Sequence, residues 1–153
     1  MRALANLIFT TDFFYSILRV TTPLLFASMG AVLSDVAGVP NIALEGMMLI
    51  AAFAGMFFSY LFDSAAMGLL FALLFAVLSA GVLAFFTLYY KTNIILGGIA
   101  INSLASGGTI FFLYLAAHDK GTSVSLPSKV QPSVNIPLIQ DIPVIGPAIS
   151  GHN

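Results

Sequence analysis

The sequence predicts an all-α fold: a polytopic membrane helical bundle of about four transmembrane helices, followed by a Pro-rich extramembrane loop. Three observations carry this. Hydrophobic residues make up 59% of the 153-residue chain and charged residues only 7%. Soluble domains carry about 25% charged residues, so this chain cannot cover a water-facing surface. The apolar residues fall into four long runs, each near the ~20 residues that cross the hydrocarbon core. Five of the seven prolines lie beyond residue 118, where they forbid a continuous helix.

The first helix is expected over about residues 13–33. Before it, Met1-Arg2-Ala3-Leu4 and the polar group Thr10-Thr11-Asp12 make a poor signal peptide, so the segment reads as retained. Pro23 removes one backbone donor from the span, and Thr21 and Thr22 stand beside it to satisfy the freed carbonyls. Residues 34–40 read as a short turn containing Asp35.

The second helix is expected over about residues 41–62. Asn41 reads as its N-cap, which places Glu45 in the first turn, where the positive end of the helix dipole favours a carboxylate. An acid leading into a membrane-grade apolar run marks a function or a partner. A helix that begins inside the membrane is a recurring device of transporters. The alternative for this stretch is a polar surface turn with a solvated acid. Arg19 is the one basic residue within the first two expected spans, and so the first partner to test for Glu45.

The third helix is expected over about residues 65–90. Ala72, Ala76, Ala80 and Ala84 recur every fourth residue beside Gly81, a stripe suited to close helix approach. Tyr89-Tyr90-Lys91 then reads as an interface anchor. The fourth helix is expected over about residues 93–117, with Gly98, Asn102, Ser106 and Thr109 along one face. The Asn102 amide needs a partner inside the bundle or in a wet cavity. Interhelical hydrogen bonding and substrate contact both answer that need.

Gly38-Val39, followed by Asn41-Ile42-Ala43-Leu44-Glu45-Gly46-Met47-Met48, resembles a signature of the membrane permease subunits of ABC importers. The resemblance is to the nucleoside and simple-sugar branch of the ribose and branched-chain amino-acid permease superfamily. Thr22-Pro23-Leu24-Leu25, Gly30, Lys91-Thr92-Asn93, Gly97-Gly98, Asn102 and Gly108 fit the same branch, over most of residues 20–115. It implies a multi-pass protein of the cell membrane that forms part of a translocation pathway for a nucleoside or simple sugar. It also implies three partners: cytoplasmic ATP-binding subunits that hydrolyse ATP, an extracellular or periplasmic solute-binding protein, and a second permease subunit. The candidate pathway or motif residues are Asn41, Glu45, Gly46, Gly98, Asn102 and Ser106. Related permeases are longer, so residues 118–153 are expected to be the truncated start of a second half. The family pattern places that loop outside and the Lys91 turn in the cytoplasm. The count of basic residues, Arg2, Lys120 and Lys129 against Lys91, weakly favours the reverse.

Other chemistry finds no support in the residues. No phosphate-cradling P-loop and no nucleophile elbow occur, so the chain is not expected to be an enzyme. Cysteine is absent, and His118 and His152 stand apart from any carboxylate cluster, so neither a metal nor a cofactor is expected. The near-zero net charge gives no nucleic-acid signal. The alternative function is a small structural or assembly protein of four helices, which hydrophobicity and the Ala stripe suit equally well.

Overall fold

The computed structural model describes residues 11–117 and Lys129. The regular elements among them are four helices: α1 Thr11–Val36, α2 Leu44–Leu61, α3 Ala65–Leu88 and α4 Ile94–Ala117. Each contains a stretch long and apolar enough to cross a membrane. The chain divides into two compact units, residues 1–30 with 130–153, and residues 31–129.

In the first unit the described part of α1 runs on through Pro23. The Thr22 hydroxyl donates to the Leu18 carbonyl at 2.6 Å and Ser28 to the Leu25 carbonyl at 2.8 Å. Pro23 frees the Arg19 carbonyl, four residues back, so Thr22 bonds the carbonyl next to the one predicted.

In the second unit α1 ends later than residue 33. Ser34, Asp35 and Val36, read above as turn residues, complete its last turn. The stop is a Schellman motif. Gly38 takes a φ of +77°, its N–H donates to the Asp35 carbonyl, and the Val39 N–H donates to the Ser34 carbonyl at 3.0 Å. Glycine adopts this left-handed conformation without a Cβ penalty. The Ser34 hydroxyl closes the turn by donating to the Val39 carbonyl.

Helices α2 and α3 form an antiparallel hairpin around glycine contacts. A Cβ on Gly68 would lie 2.6 Å from the Gly55 carbonyl oxygen and 2.7 Å from Ser59 Cβ. Phe58 stacks on Phe71 with ring centroids 4.0 Å apart, and Phe62 stacks on Phe71. The hairpin turn is a second Schellman motif, with Asp63 at φ +49° and the Ser64 N–H donating to the Ser59 carbonyl. Ser59 is buried, and its hydroxyl accepts from the Lys129 N–H and donates to the Lys129 carbonyl. Lys129 Nζ also lies 3.1 Å from Asp63 Oδ1, with both side chains more than half exposed. These contacts fix Lys129 at the α2–α3 turn, the end of the bundle opposite Lys91.

Helix α3 stops at Leu88, two residues before its expected end. Tyr89 is its C-cap, Lys91 takes a φ of +51°, and the Thr92 N–H donates to the Phe86 carbonyl. Asn93 then starts α4, its Oδ1 accepting the Ile95 N–H at 2.9 Å, the side-chain capping that a helix start favours. The Ala stripe of α3 splits: Ala72 faces Gly55, whereas Ala80 and Ala84 are exposed. Glycine, not alanine, makes the closest approach of α3 to α2.

The buried apolar residues among those described are few, and half of them are alanine: Ala43, Met47, Ala54, Leu83, Ala105 and Leu113. Large apolar side chains such as Leu88 and Leu104 are exposed along the helices. That distribution suits a chain whose outer faces meet lipid or other helices rather than water.

Candidate functional site

The polar stretch between α1 and α2 descends to a buried residue. Asn41 does not cap α2, because the N-cap position falls on Ala43 and the helix begins at Leu44. Asn41 instead accepts the Ala43 N–H on Oδ1 at 3.0 Å, an Asx-turn two residues long. Its Nδ2 lies 3.7 Å from the Met47 sulfur, a weak acceptor. Ala43 is fully buried, and with Met47 and Leu83 it forms the core at this end of the unit, packed by Ile94 and Ile101.

The start of α2 is completed from α4. Asn102 Oδ1 accepts the Gly46 N–H at 2.8 Å, and Asn102 Nδ2 donates to the Ile42 carbonyl at 2.9 Å. Only one orientation of the carboxamide serves both, since the oxygen must meet the donor and the NH₂ the acceptor. Asn102 therefore caps α2 from 56 residues away in the chain. It satisfies one of the first-turn N–H groups that a helix leaves without an intrahelical partner.

Two glycines permit this approach. A Cβ on Gly46 would stand 2.7 Å from Asn102 Oδ1, 2.9 Å from Asn102 Cα and 3.0 Å from the Ile101 carbonyl oxygen. A Cβ on Gly98 would stand 3.1 Å from the Ala43 nitrogen and 3.2 Å from Ile42 Cβ. Gly97 stands against Leu83 of α3 in the same way, at 2.9 Å. Of the predicted site residues, the structure thus brings Asn41, Gly46, Gly98 and Asn102 together around residues 42–46. Glu45 lies beside them, in the first turn as expected and exposed. No ionic partner stands against it among the described residues.

Ser106 is not part of this cluster. It is exposed and its hydroxyl donates to the Ser103 carbonyl of its own helix. Thr109 is likewise turned onto the Ala105 carbonyl, at 2.7 Å. The polar face of α4 splits into an Asn102 half that grips α2 and a half bonded to itself. Beside that second half lies an apolar cleft of about 480 Å³, lined by Phe53, Phe57, Phe58, Phe75 and Phe112 among others.

Sequence reasoning missed Ser59 and Lys129. They lie 70 residues apart, and a serine inside an apolar run carries no signal of a distant main-chain partner. Asn93, read as the first residue of the fourth helix, is its cap instead, and an Asn directly before a long apolar run is the signal that could have shown it. Among the described residues no three His, Cys, Asp or Glu gather where a metal ion would sit. What the cluster offers is a helix start held from a second helix, three backbone groups bonded by two asparagine side chains, and one uncommitted carboxylate.

Comparison with known proteins agrees with the resemblance in the sequence. The family described as "Branched-chain amino acid transport system / permease component" matches residues 13–134. A guanosine ABC transporter permease protein of Bacillus subtilis (strain 168) is 34% identical over 130 residues, 81% of this chain and 40% of the relative. A nucleoside ABC transporter permease protein of Lactococcus lactis subsp. cremoris is 31% identical over 132 residues, 82% of this chain and 41% of the relative. A putative glucose ABC transporter permease protein of Haloferax volcanii is 32% identical over 94 residues, 61% of this chain and 29% of the relative. The chain thus spans about 40% of the length of the two nucleoside relatives. No solved structure matches it.

Proposed function

The chain belongs to the permease-component family of branched-chain amino acid transport systems, and from that premise we propose that it is a permease subunit of an ABC-type importer, contributing part of a translocation pathway for a nucleoside or simple sugar. As a member of this family with four membrane-spanning-type helices, it is a multi-pass membrane protein. ATP hydrolysis falls to separate cytoplasmic ATP-binding subunits, and the chain itself catalyses no reaction. A solute-binding protein delivers substrate from outside, and a second permease subunit completes the pathway. The Lys91 turn faces the cytoplasm, and the segment after α4 lies outside.

The observation that supports this reading most is the build of the signature stretch. A carboxylate in an apolar sequence is left exposed at a helix start that two asparagines and two glycines hold in place. A structural carboxylate would be expected to pair inside the bundle. An exposed one at this place fits a solvated surface turn as well as a pathway, and the family match over residues 13–134 weighs for the pathway. Of the three relatives, two are named as guanosine or nucleoside permeases and one as a putative glucose permease, which favours nucleosides over sugars. The alternative of a purely structural membrane protein gains nothing from these relatives.

The test is uptake by the permease that carries this sequence, reconstituted with its ATP-binding subunits and solute-binding protein. ATP-dependent uptake of a labelled nucleoside, displaced by excess unlabelled nucleoside and not by sugars, is the expected result. Displacement by sugars alone would move the assignment to the sugar branch. ATP-independent or absent uptake of both classes would remove it.

A further inference from the structure

The level at which α2 begins can be counted on its neighbours. Gly98 and Asn102 of α4 meet residues 42–46, and they lie four and eight residues inside the start of α4 at Ile94. At about 1.5 Å per residue, the start of α2 is set back about 6–12 Å from that end of α4. On α3 the same level is Leu83, which packs with Ala43 and Met47, five residues and about 8 Å short of the helix end at Leu88. The lengths agree, since α2 has 18 residues against 24 in each of α3 and α4.

Non-helical backbone at membrane depth persists only where its polar groups are satisfied or water reaches them. Here the Ile42 carbonyl and the Ala43 and Gly46 amides are bonded by Asn102 and Asn41. The register is fixed as well. Sliding α2 by one residue would set Glu45 or Met47, each with a Cβ, where a Cβ on Gly46 would stand only 2.9 Å from Asn102 Cα. Glu45 stands at the same level, exposed, and an ionised carboxylate there is stable only with water or a counter-charge.

We propose that Asn102 is a positioning residue: it pins the start of α2 below the helix ends and so stations Glu45 in a water-filled vestibule that opens at the Lys91 end of the bundle. The inference rests on the membrane placement of the helices, and for its use in transport on the permease reading. Its test measures water access and not uptake, so the two can fail separately.

The sequence has no cysteine, so each introduced cysteine is the single thiol of this stretch, and any cysteine elsewhere in the permease is replaced first. In membranes holding the permease, Glu45→Cys is treated with a membrane-impermeant maleimide from the side that labels Thr92→Cys. Leu104→Cys, exposed on α4 ten residues from its start at Ile94, serves as the mid-span control. Glu45→Cys is expected to react and Leu104→Cys to stay unlabelled. In an Asn102→Ala background the rate at Glu45→Cys should fall, by about tenfold, as the start of α2 loses the two bonds that hold it at that level. Asn102→Asp gives the conservative arm and keeps the test open if Asn102→Ala does not insert. A protonated carboxyl can accept from Gly46 and donate to Ile42, whereas an ionised one only accepts. Its rate, taken relative to the Asn102 parent at each pH, should match the parent in acid and depart from it in alkaline buffer. No labelling of Glu45→Cys where Thr92→Cys reacts would overturn the vestibule. A relative rate unchanged by Asn102→Asp across that pH range would overturn the positioning role.

Discussion

Gly46 and Asn102 meet so closely that a methyl group on Gly46 would stand 2.7 Å from the Asn102 carboxamide oxygen and 2.9 Å from its Cα. The second contact is with backbone, so a side-chain rotation cannot relieve it. Gly46→Ala is therefore expected to destabilise the folded chain by about 1–3 kcal/mol, the usual range for overpacking. Folded yield in detergent and the midpoint of unfolding check this. Gly81→Ala, whose Cβ would meet nothing within 4 Å, should match the wild type.

The hairpin of α2 and α3 makes a graded series. The added methyl would meet a carbonyl oxygen at 2.6 Å in Gly68→Ala, but in Gly55→Ala the Ala72 methyl at 3.2 Å and the Gly68 carbonyl oxygen at 3.6 Å. The expected order of loss is Gly68→Ala, then Gly55→Ala, then Gly81→Ala, read by the same unfolding measurement. Equal behaviour of the three would show that this helix pair yields freely.

Asn41 and Asn102 differ in what their removal leaves behind. Asn41→Ala loses the acceptor for the Ala43 amide, worth about 0.5–1.5 kcal/mol. Asn41→Asp keeps that acceptor and should largely restore stability. Asn102→Leu strands the buried Gly46 amide, at about 1–3 kcal/mol for a buried unpaired group, and also frees the exposed Ile42 carbonyl. A smaller loss for Asn102→Leu than for Asn41→Ala, measured by thermal aggregation in detergent, would contradict this ranking.

Glu45 is exposed and unpaired among the described residues. Glu45→Ala and Glu45→Gln should therefore insert and assemble as the wild type does. On the permease reading both should impair uptake, because the carboxylate serves the pathway. Wild-type uptake by Glu45→Ala would take this residue out of the mechanism, and a loss of folded yield restored by Glu45→Gln would make it structural.

At the opposite end, the Lys129–Asp63 pair is more than half exposed on both sides, and exposed pairs contribute about 0–1 kcal/mol. Lys129→Ala should change stability little. Ser59→Ala should matter more, because a buried hydroxyl that serves both Lys129 backbone groups disappears. Limited proteolysis near Lys129 is the readout, and Ser59→Ala should accelerate it where Lys129→Ala does not.

Much of the fold was legible because membrane spans are written in composition. The third and fourth helices lie within two residues of their expected bounds. The errors sit where local and tertiary signals compete. Asn41 has the chemistry of an N-cap, yet its side chain closes a turn two residues long and the helix begins at Leu44. Ser34 and Asp35 look like turn residues, but the left-handed Gly38 sets the stop and draws them into α1. That Asn102 needed a partner could be read from the sequence. Which partner it would find could not, because the answer depends on two glycines of different helices arriving at the same level.

The reach of the Asn102 grip also orders events during synthesis. Helices α2 and α3 are neighbours in the chain and can pair as soon as both have been made. The Ile42 carbonyl and the Gly46 amide must wait for a residue 56 positions downstream of Gly46. At about 5–20 residues per second, that is a delay of roughly 3–11 seconds. Throughout it the start of α2 holds unsatisfied backbone groups that hydrocarbon does not tolerate. The leading end of the nascent hairpin is therefore expected to keep contact with water until α4 arrives.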